Sequence, residues 1–97
     1  MEINVQSIKF DADQKLLDFV DKKLGKLHKF YDEVERMEVS LTLLPDPQNK
    51  NAKVRVIVPG AEDIVVERHA DTFEAAITDC AGTLKDLLVQ AKEKRFQ

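Results

Sequence analysis

Cysteine is nearly absent: the 97-residue chain has one, Cys80. A single thiol excludes an internal disulfide and any metal site built on paired cysteines. Glycine is almost as scarce, and Gly25, Gly60 and Gly82 stand far apart. No glycine-rich loop therefore exists to cradle a phosphate with backbone amides. No apolar run approaches the roughly 18–20 residues a membrane span needs. The opening Met1-Glu2-Ile3-Asn4-Val5 is acidic and alternating, not basic and then apolar as in a signal peptide. Cytoplasm is the expected compartment. A large excess of one charge is also missing: 15 basic and 18 acidic residues leave a net −3, which excludes a uniformly basic, nonspecifically nucleic-acid-binding surface.

What is present fits an ordinary globular chain. Hydrophobic residues are 43% and charged residues 34%, enough for a core and a solvated surface. At this length one modest core forms and two do not, so a single domain over 1–97 is expected.

Ile3, Val5 and Ile8, with Phe10, mark a first strand. Asp11 with Gln14 three residues on resembles a capping box at a helix start. Leu16, Val20, Leu24 and Leu27 then recur at helical spacing, giving an amphipathic helix of about 17 residues that fades near Tyr31. Met37, Val39, Leu41 and Leu43 alternate with Glu38, Ser40 and Thr42, a half-buried strand. Pro45 to Asn51, with two prolines, reads as a loop. Val54, Val56 and Val58 form a third strand, and Pro59-Gly60 fits the centre of a type II turn into a fourth over Ile64–Val66. Phe73, Ala76, Ile77, Cys80, Leu84, Leu87, Leu88 and Ala91 fall in a helical sector of roughly 120°.

The order βαβββα implies a parallel first strand pair and antiparallel later ones. Both helices must bury their stripes on one sheet face. The expected architecture is a two-layer α/β (α+β) sandwich, a four-stranded mixed sheet with two helices on one face and the other face open to water.

Catalytic signatures are weak. His28 and His69 lie on different elements with no metal-ligand spacing to other candidates. Cys80 falls within the apolar stripe of the last helix, where a thiol behaves as a small hydrophobe. A small phosphatase on such a sandwich needs an arginine in a glycine-containing anion loop, and Ser7-Ile8-Lys9-Phe10-Asp11 offers none. No enzyme activity, cofactor, metal or small-molecule substrate is expected.

The helix surfaces say more. At 100° per residue Lys15, Lys22, Lys26 and Lys29 share a sector of roughly 60°, with Lys23 at the border of the apolar side. At 1.5 Å per residue they span roughly 20 Å, long enough to follow a nucleic-acid backbone. On the last helix Lys85 and Lys92 share one flank while Asp79, Asp86 and Glu93 share the other. If the helices lie side by side, these lysines form one basic surface, extended by Lys94 and Arg95. Exposed lysines also serve solubility alone; the sorting of sign on both helices favours a contact with phosphates. No aromatic residue falls within the sector that these lysines share, so folded RNA read by shape fits better than stacked single strands.

The element order and three stretches resemble the ribosome hibernation promoting factor and ribosome-associated inhibitor family, also described as sigma-54 modulation proteins. The stretches are Met1-Glu2-Ile3-Asn4-Val5-Gln6-Ser7, the helix end Lys22-Lys23-Leu24-Gly25-Lys26-Leu27-His28-Lys29-Phe30-Tyr31-Asp32, and Asp71-Thr72-Phe73-Glu74-Ala75-Ala76-Ile77-Thr78-Asp79. The likeness spans essentially the whole chain and is to the short type, without the longer members' dimerising domain. The resemblance implies a shape similar to double-stranded-RNA-binding domains. It implies binding to small-subunit ribosomal RNA in the channel used by messenger and transfer RNAs, and silencing of translation in starvation or stationary phase. Lys22, Lys26 and Lys29 match the family's first-helix basic positions, and Lys85 and Lys92 match those of its last helix. Other hibernation factors are candidate partners.

A different class of function stays open at this stage. The open sheet face carries Glu38, Ser40 and Thr42, with Ile57 and Val65 beside them. Apolar residues exposed among polar ones suit a protein-interaction module that docks a ribosome-associated or transcription-regulating partner without touching RNA.

Overall fold

The computed structural model describes residues 1–97 apart from Asp46, Gln48, Phe96 and Gln97, and Arg95 without its side chain. Strand β1 (Glu2–Ile8) leads into helix α1 (Gln14–Gly25), whose path continues as a 3-10 turn over Lys26–Phe30. Strands β2 (Arg36–Leu43), β3 (Lys50–Ile57) and β4 (Ile64–Ala70) follow, and helix α2 (Phe73–Arg95) ends the described chain. The sheet order is β1-β2-β3-β4. β1 runs parallel to β2, with Val5 opposite Val39, and the other two pairs are antiparallel.

Register explains the single core. Val5, Val39, Val54 and Val66 form one row across the sheet, and Ile3, Met37, Val56 and Ile64 form the next. Side chains alternate between faces along each strand, so the two rows lie on one face. Leu16, Val20 and Leu24 of α1 and Ala76, Ile77, Cys80, Leu84 and Leu88 of α2 join them in one continuous cluster. Glu38, Lys53, Arg55, Val65 and Glu67 are exposed on the far side. The mixed four-stranded sheet with both helices on one face is as expected.

Several boundaries differ from the sequence reading, each for a local reason. Asp13, not Asp11, caps α1: its Oδ1 accepts from the Leu16 amide at 2.8 Å. Gln14 does not close a box; its side-chain amide donates to Asp18 Oδ1 at 2.8 Å. β1 stops at Ile8 because Lys9 adopts φ 69°, a left-handed conformation that turns the chain out of the strand. Phe10 is thereby freed from the strand and stacks on Phe73 at the start of α2, centroids 4.5 Å apart and planes 12° off parallel.

The expected 17-residue helix is present in length, but its last five residues tighten to three per turn. β3 begins at Lys50, so the loop expected over Pro45–Asn51 is shorter; its Asp46 and Gln48 lie outside the described residues. The Leu44 amide donates to the Asn49 carbonyl at 2.7 Å and closes that loop. β4 runs on to Ala70, pairing Asn51 with His69. The turn before it is as expected: Gly60 has φ 77° and the Ala61 amide donates to the Val58 carbonyl at 3.1 Å. Thr72 caps α2 by accepting from the Ala75 amide at 3.0 Å.

Candidate nucleic-acid interface

Burial of Leu16, Val20 and Leu24 fixes the rotation of α1 and thereby its outer face. Lys15, Lys22, Lys26 and Lys29 are exposed on that face, and Lys23 is half-buried beside it. Residues three apart eclipse in a 3-10 turn, so Lys26 and Lys29 stay in line. Lys22 and Lys23 occupy the last turn of α1, and His28 and Lys29 the last turn of the 3-10 segment. Positive charge is favoured there by the unpaired carbonyls. Lys23 folds back on Phe19, four residues earlier, its Nζ 5.7 Å from the ring centroid.

Burial of Ala76, Ile77, Cys80, Leu84 and Leu88 fixes the rotation of α2 and with it the place of its two charged flanks. On its acidic flank Asp79 lies 3.8 Å from the Arg68 guanidinium of β4, which also donates to the Thr83 hydroxyl at 3.3 Å. Glu74 and Asp86 border the same shallow groove beside β4. The basic flank faces the other way, toward the first helix. There Lys85 Nζ sits 5.3 Å from the Phe30 centroid, and Lys29 Nζ sits 5.2 Å from that same centroid. The two ammonium groups can be no farther apart than the sum of those distances, 10.5 Å. Lysines from two helices therefore share one surface.

The other expected members are placed differently from one another. Lys92 is exposed seven residues beyond Lys85, two turns along the same flank. Lys94 lies half a turn round from Lys85 at 100° per residue and borders a groove of about 530 Å³ with Tyr31, Val58, Glu62 and Asp63. It stands apart from the Lys29–Lys85 pair. The Arg95 side chain lies outside the described residues.

Among the described residues the ion pairs are Arg36–Glu35 at 3.0 Å, Arg55–Asp63 at 3.6 Å and Arg68–Asp79 at 3.8 Å. All use arginine. No described carboxylate lies within 4.0 Å of the ammonium groups of Lys15, Lys22, Lys23, Lys26, Lys29, Lys85, Lys92 or Lys94. The stripe is not uniform, however. Asp11, Asp13, Asp18 and Glu74 share a groove with Lys15 and Lys22. The early end of the stripe is thus partly offset within a Debye length of about 10 Å. Positive charge is least opposed from Lys26 through Lys29 to Lys85.

Groups suited to bond-making chemistry are not gathered anywhere in the described residues. No cluster of three or more His, Cys, Asp or Glu side chains that could hold a metal occurs among them. Burial pushes the Cys80 thiol up from 9.0 to about 11 despite the opposing charge of Arg68, and the thiol donates to the Ala52 carbonyl. His28 donates through Nε2 to the Asp32 carbonyl at 3.0 Å. No helix in the described residues is long and apolar enough to cross a membrane. On the open sheet face Val65 is 44% exposed and Ile57 half-buried. Arg55 is paired with Val65 and Arg36 with Ile57, so charge interrupts the apolar surface.

Sequence reasoning missed the two rings. Phe19 could have been found, because Phe19 and Lys23 are four apart on one helix face. Phe30 could not be paired with Lys85 from the sequence, because 55 positions separate them and only the packing of α2 joins them.

Residues 3–95 match the family model described as sigma 54 modulation protein / S30EA ribosomal protein. The chain is 29% identical over 97 residues to a ribosome hibernation promoting factor of Azotobacter vinelandii, covering 100% of this chain and 88% of the relative. It is 27% identical over 95 residues to one of Pseudomonas putida, covering 98% and 90%. Among solved structures, a ribosomal subunit interface protein from Coxiella burnetii superposes with TM-score 0.85 at 19% identity, covering 96% of this chain and 99% of that one. The N-terminal domain of Thermus thermophilus Protein Y gives TM-score 0.77 at 22% identity, covering 92% and 93%. At these identities the two structures establish the shared fold.

Proposed function

The chain belongs to the sigma 54 modulation protein / S30EA ribosomal protein family, and on that premise we propose that it is a translation-silencing protein that binds RNA of the small ribosomal subunit and performs no chemistry. The contact is made by Lys15, Lys22, Lys23, Lys26 and Lys29 of the first helical stretch with Lys85 and Lys92 of α2. Bound in the channel for messenger and transfer RNAs near the decoding region, the protein excludes both by occupancy and acts in the cytoplasm. Relatives named as hibernation promoting factors along the whole length of the chain support this reading.

The observation that carries it is the meeting of Lys29 and Lys85 over Phe30, with no carboxylate among the described residues within 4.0 Å of either ammonium. An ammonium not paired with a carboxylate gives up only water and counterions when it meets a phosphate. A two-layer domain with both helices on one sheet face presents such groups side by side, which suits structured RNA read by shape.

Co-sedimentation tests the proposal. The protein migrates with small subunits on a sucrose gradient at low salt, leaves them as salt rises, and inhibits a cell-free translation reaction at matching concentrations. A triple Lys22→Ala/Lys26→Ala/Lys29→Ala variant binds more weakly at low salt and inhibits translation only at higher concentration. Migration away from all ribosomal fractions, or inhibition untouched by the triple substitution, overturns the proposal and favours a protein partner on the sheet face.

A further inference from the structure

Phe30 ends the 3-10 turn, and its ring packs half-buried against the core cluster. A ring seated in this way moves little. Two long flexible side chains converge on it, Lys29 from its own turn and Lys85 from α2, each ammonium within cation–π reach. Two like charges held within 10.5 Å of each other repel. No carboxylate among the described residues lies within 4.0 Å of either ammonium, and the negative face of the ring attracts both.

That difference matters for an anion. A carboxylate partner would compete with an arriving phosphate and repel it. The ring carries no net charge, takes one side of each ammonium, and leaves its remaining N–H donors to the ligand. It also restricts two rotamer-rich side chains before binding, so less freedom is lost on association. We infer that Phe30 is a positioning residue: it sets Lys29 and Lys85 as a preformed cationic pair that receives RNA phosphates across the seam between the two helices. The inference rests on the proposed RNA contact and adds to it a residue that carries no charge.

Binding to purified small ribosomal subunits, measured as a function of salt, tests it with two substitutions. Phe30→Leu keeps an apolar side chain and removes the aromatic face; Phe30→Tyr keeps the face. Affinity falls roughly three- to tenfold in Phe30→Leu, the scale of the ordering cost of one or two lysine side chains, and returns toward wild type in Phe30→Tyr. The salt slope is the same in all three, because no charge is removed. In the Phe30→Leu background, Lys29→Ala and Lys85→Ala together cost less than in wild type, while Lys22→Ala costs the same.

Wild-type affinity in Phe30→Leu, or equal losses in the leucine and tyrosine variants, overturns the inference while leaving the lysine contact intact. A wild-type protein that does not bind the small subunit at all overturns the proposed function and this inference with it. Phe30→Tyr keeps the test decisive should leucine loosen the fold.

Discussion

Replacing Leu24 with alanine should separate the core from the charged face that it supports. Leu24 is 0% exposed and lies between Lys22-Lys23 and Lys26 on α1. The substitution removes three carbons, about 2.4 kcal/mol at roughly 0.8 kcal/mol per buried CH₂. A cavity term adds to this, because Val20, Leu84 and Leu88 of the same cluster are also fully covered and relax only in part. The expected loss is about 3–4 kcal/mol, within the usual range of roughly 2–5 for Leu→Ala. A domain of this size has a total stability of roughly 5–15 kcal/mol, so the variant folds but is strongly weakened. Its melting temperature falls by about 12–32 °C, at roughly 4–8 °C per kcal/mol. Urea unfolding followed by far-ultraviolet circular dichroism gives the free energy directly, with Lys22→Ala as a surface control expected within about 0.5 kcal/mol of wild type. A loss below about 1 kcal/mol for Leu24→Ala, or equal losses for the two variants, would refute the assignment of which face of α1 is buried.

Other substitutions test the local assignments. Asp13→Ala costs about 1 kcal/mol through loss of the helix cap, whereas Asp11→Ala leaves the urea midpoint nearly unchanged; equal effects would reinstate Asp11 as the cap. Gly60→Ala, at φ 77°, destabilises by about 1–2 kcal/mol. Gly82→Ala, in α2 with open space around the added methyl, stabilises by about 1 kcal/mol, and the two midpoints must move in opposite directions. The Cys80 thiol, raised by burial from 9.0 to about 11, ionises first in the unfolded chain as pH rises. Its contribution to stability is therefore complete below about pH 9 and is lost through about pH 11. Cys80→Ala lacks that loss, so the stabilities of wild type and variant should differ by a constant offset below about pH 9 and change relative to one another only above it; a constant offset to pH 11 contradicts the burial.

The order and type of elements were legible because the sequence alternates cleanly. Met37, Val39 and Leu41 repeat every second residue and all are buried, and Leu16, Val20, Leu24 and Leu27 repeat at helical spacing and all are buried. The glycine of Pro59-Gly60 announced its own positive φ. Element ends were harder to read, since they depend on contacts remote in sequence. Asp11 and Asp13 are equally good caps by type. The choice is made by the left-handed turn at Lys9 and by Phe10 docking on Phe73, which place the helix start two residues later. Nothing in Lys26–Phe30 marks a 3-10 turn by composition. For the candidate surface, the segregation of lysine and acid on each helix could be read from the sequence. Their relative placement could not, because it depends on how both helices pack on the sheet, which sets Asp79 beside Arg68 on one flank of α2 and Lys85 beside Phe30 on the other.

The salt dependence of binding to purified small subunits addresses the two-helix surface most directly. Each phosphate contact contributes about 0.7–0.9 to the log–log slope, depending on the geometry of the nucleic acid. The wild-type protein should show a steep negative slope, and the Lys22→Ala/Lys26→Ala/Lys29→Ala variant a slope shallower by about 2–3. Superimposable slopes for the two proteins would mean that these lysines meet no phosphate, and that the face they form serves some other purpose.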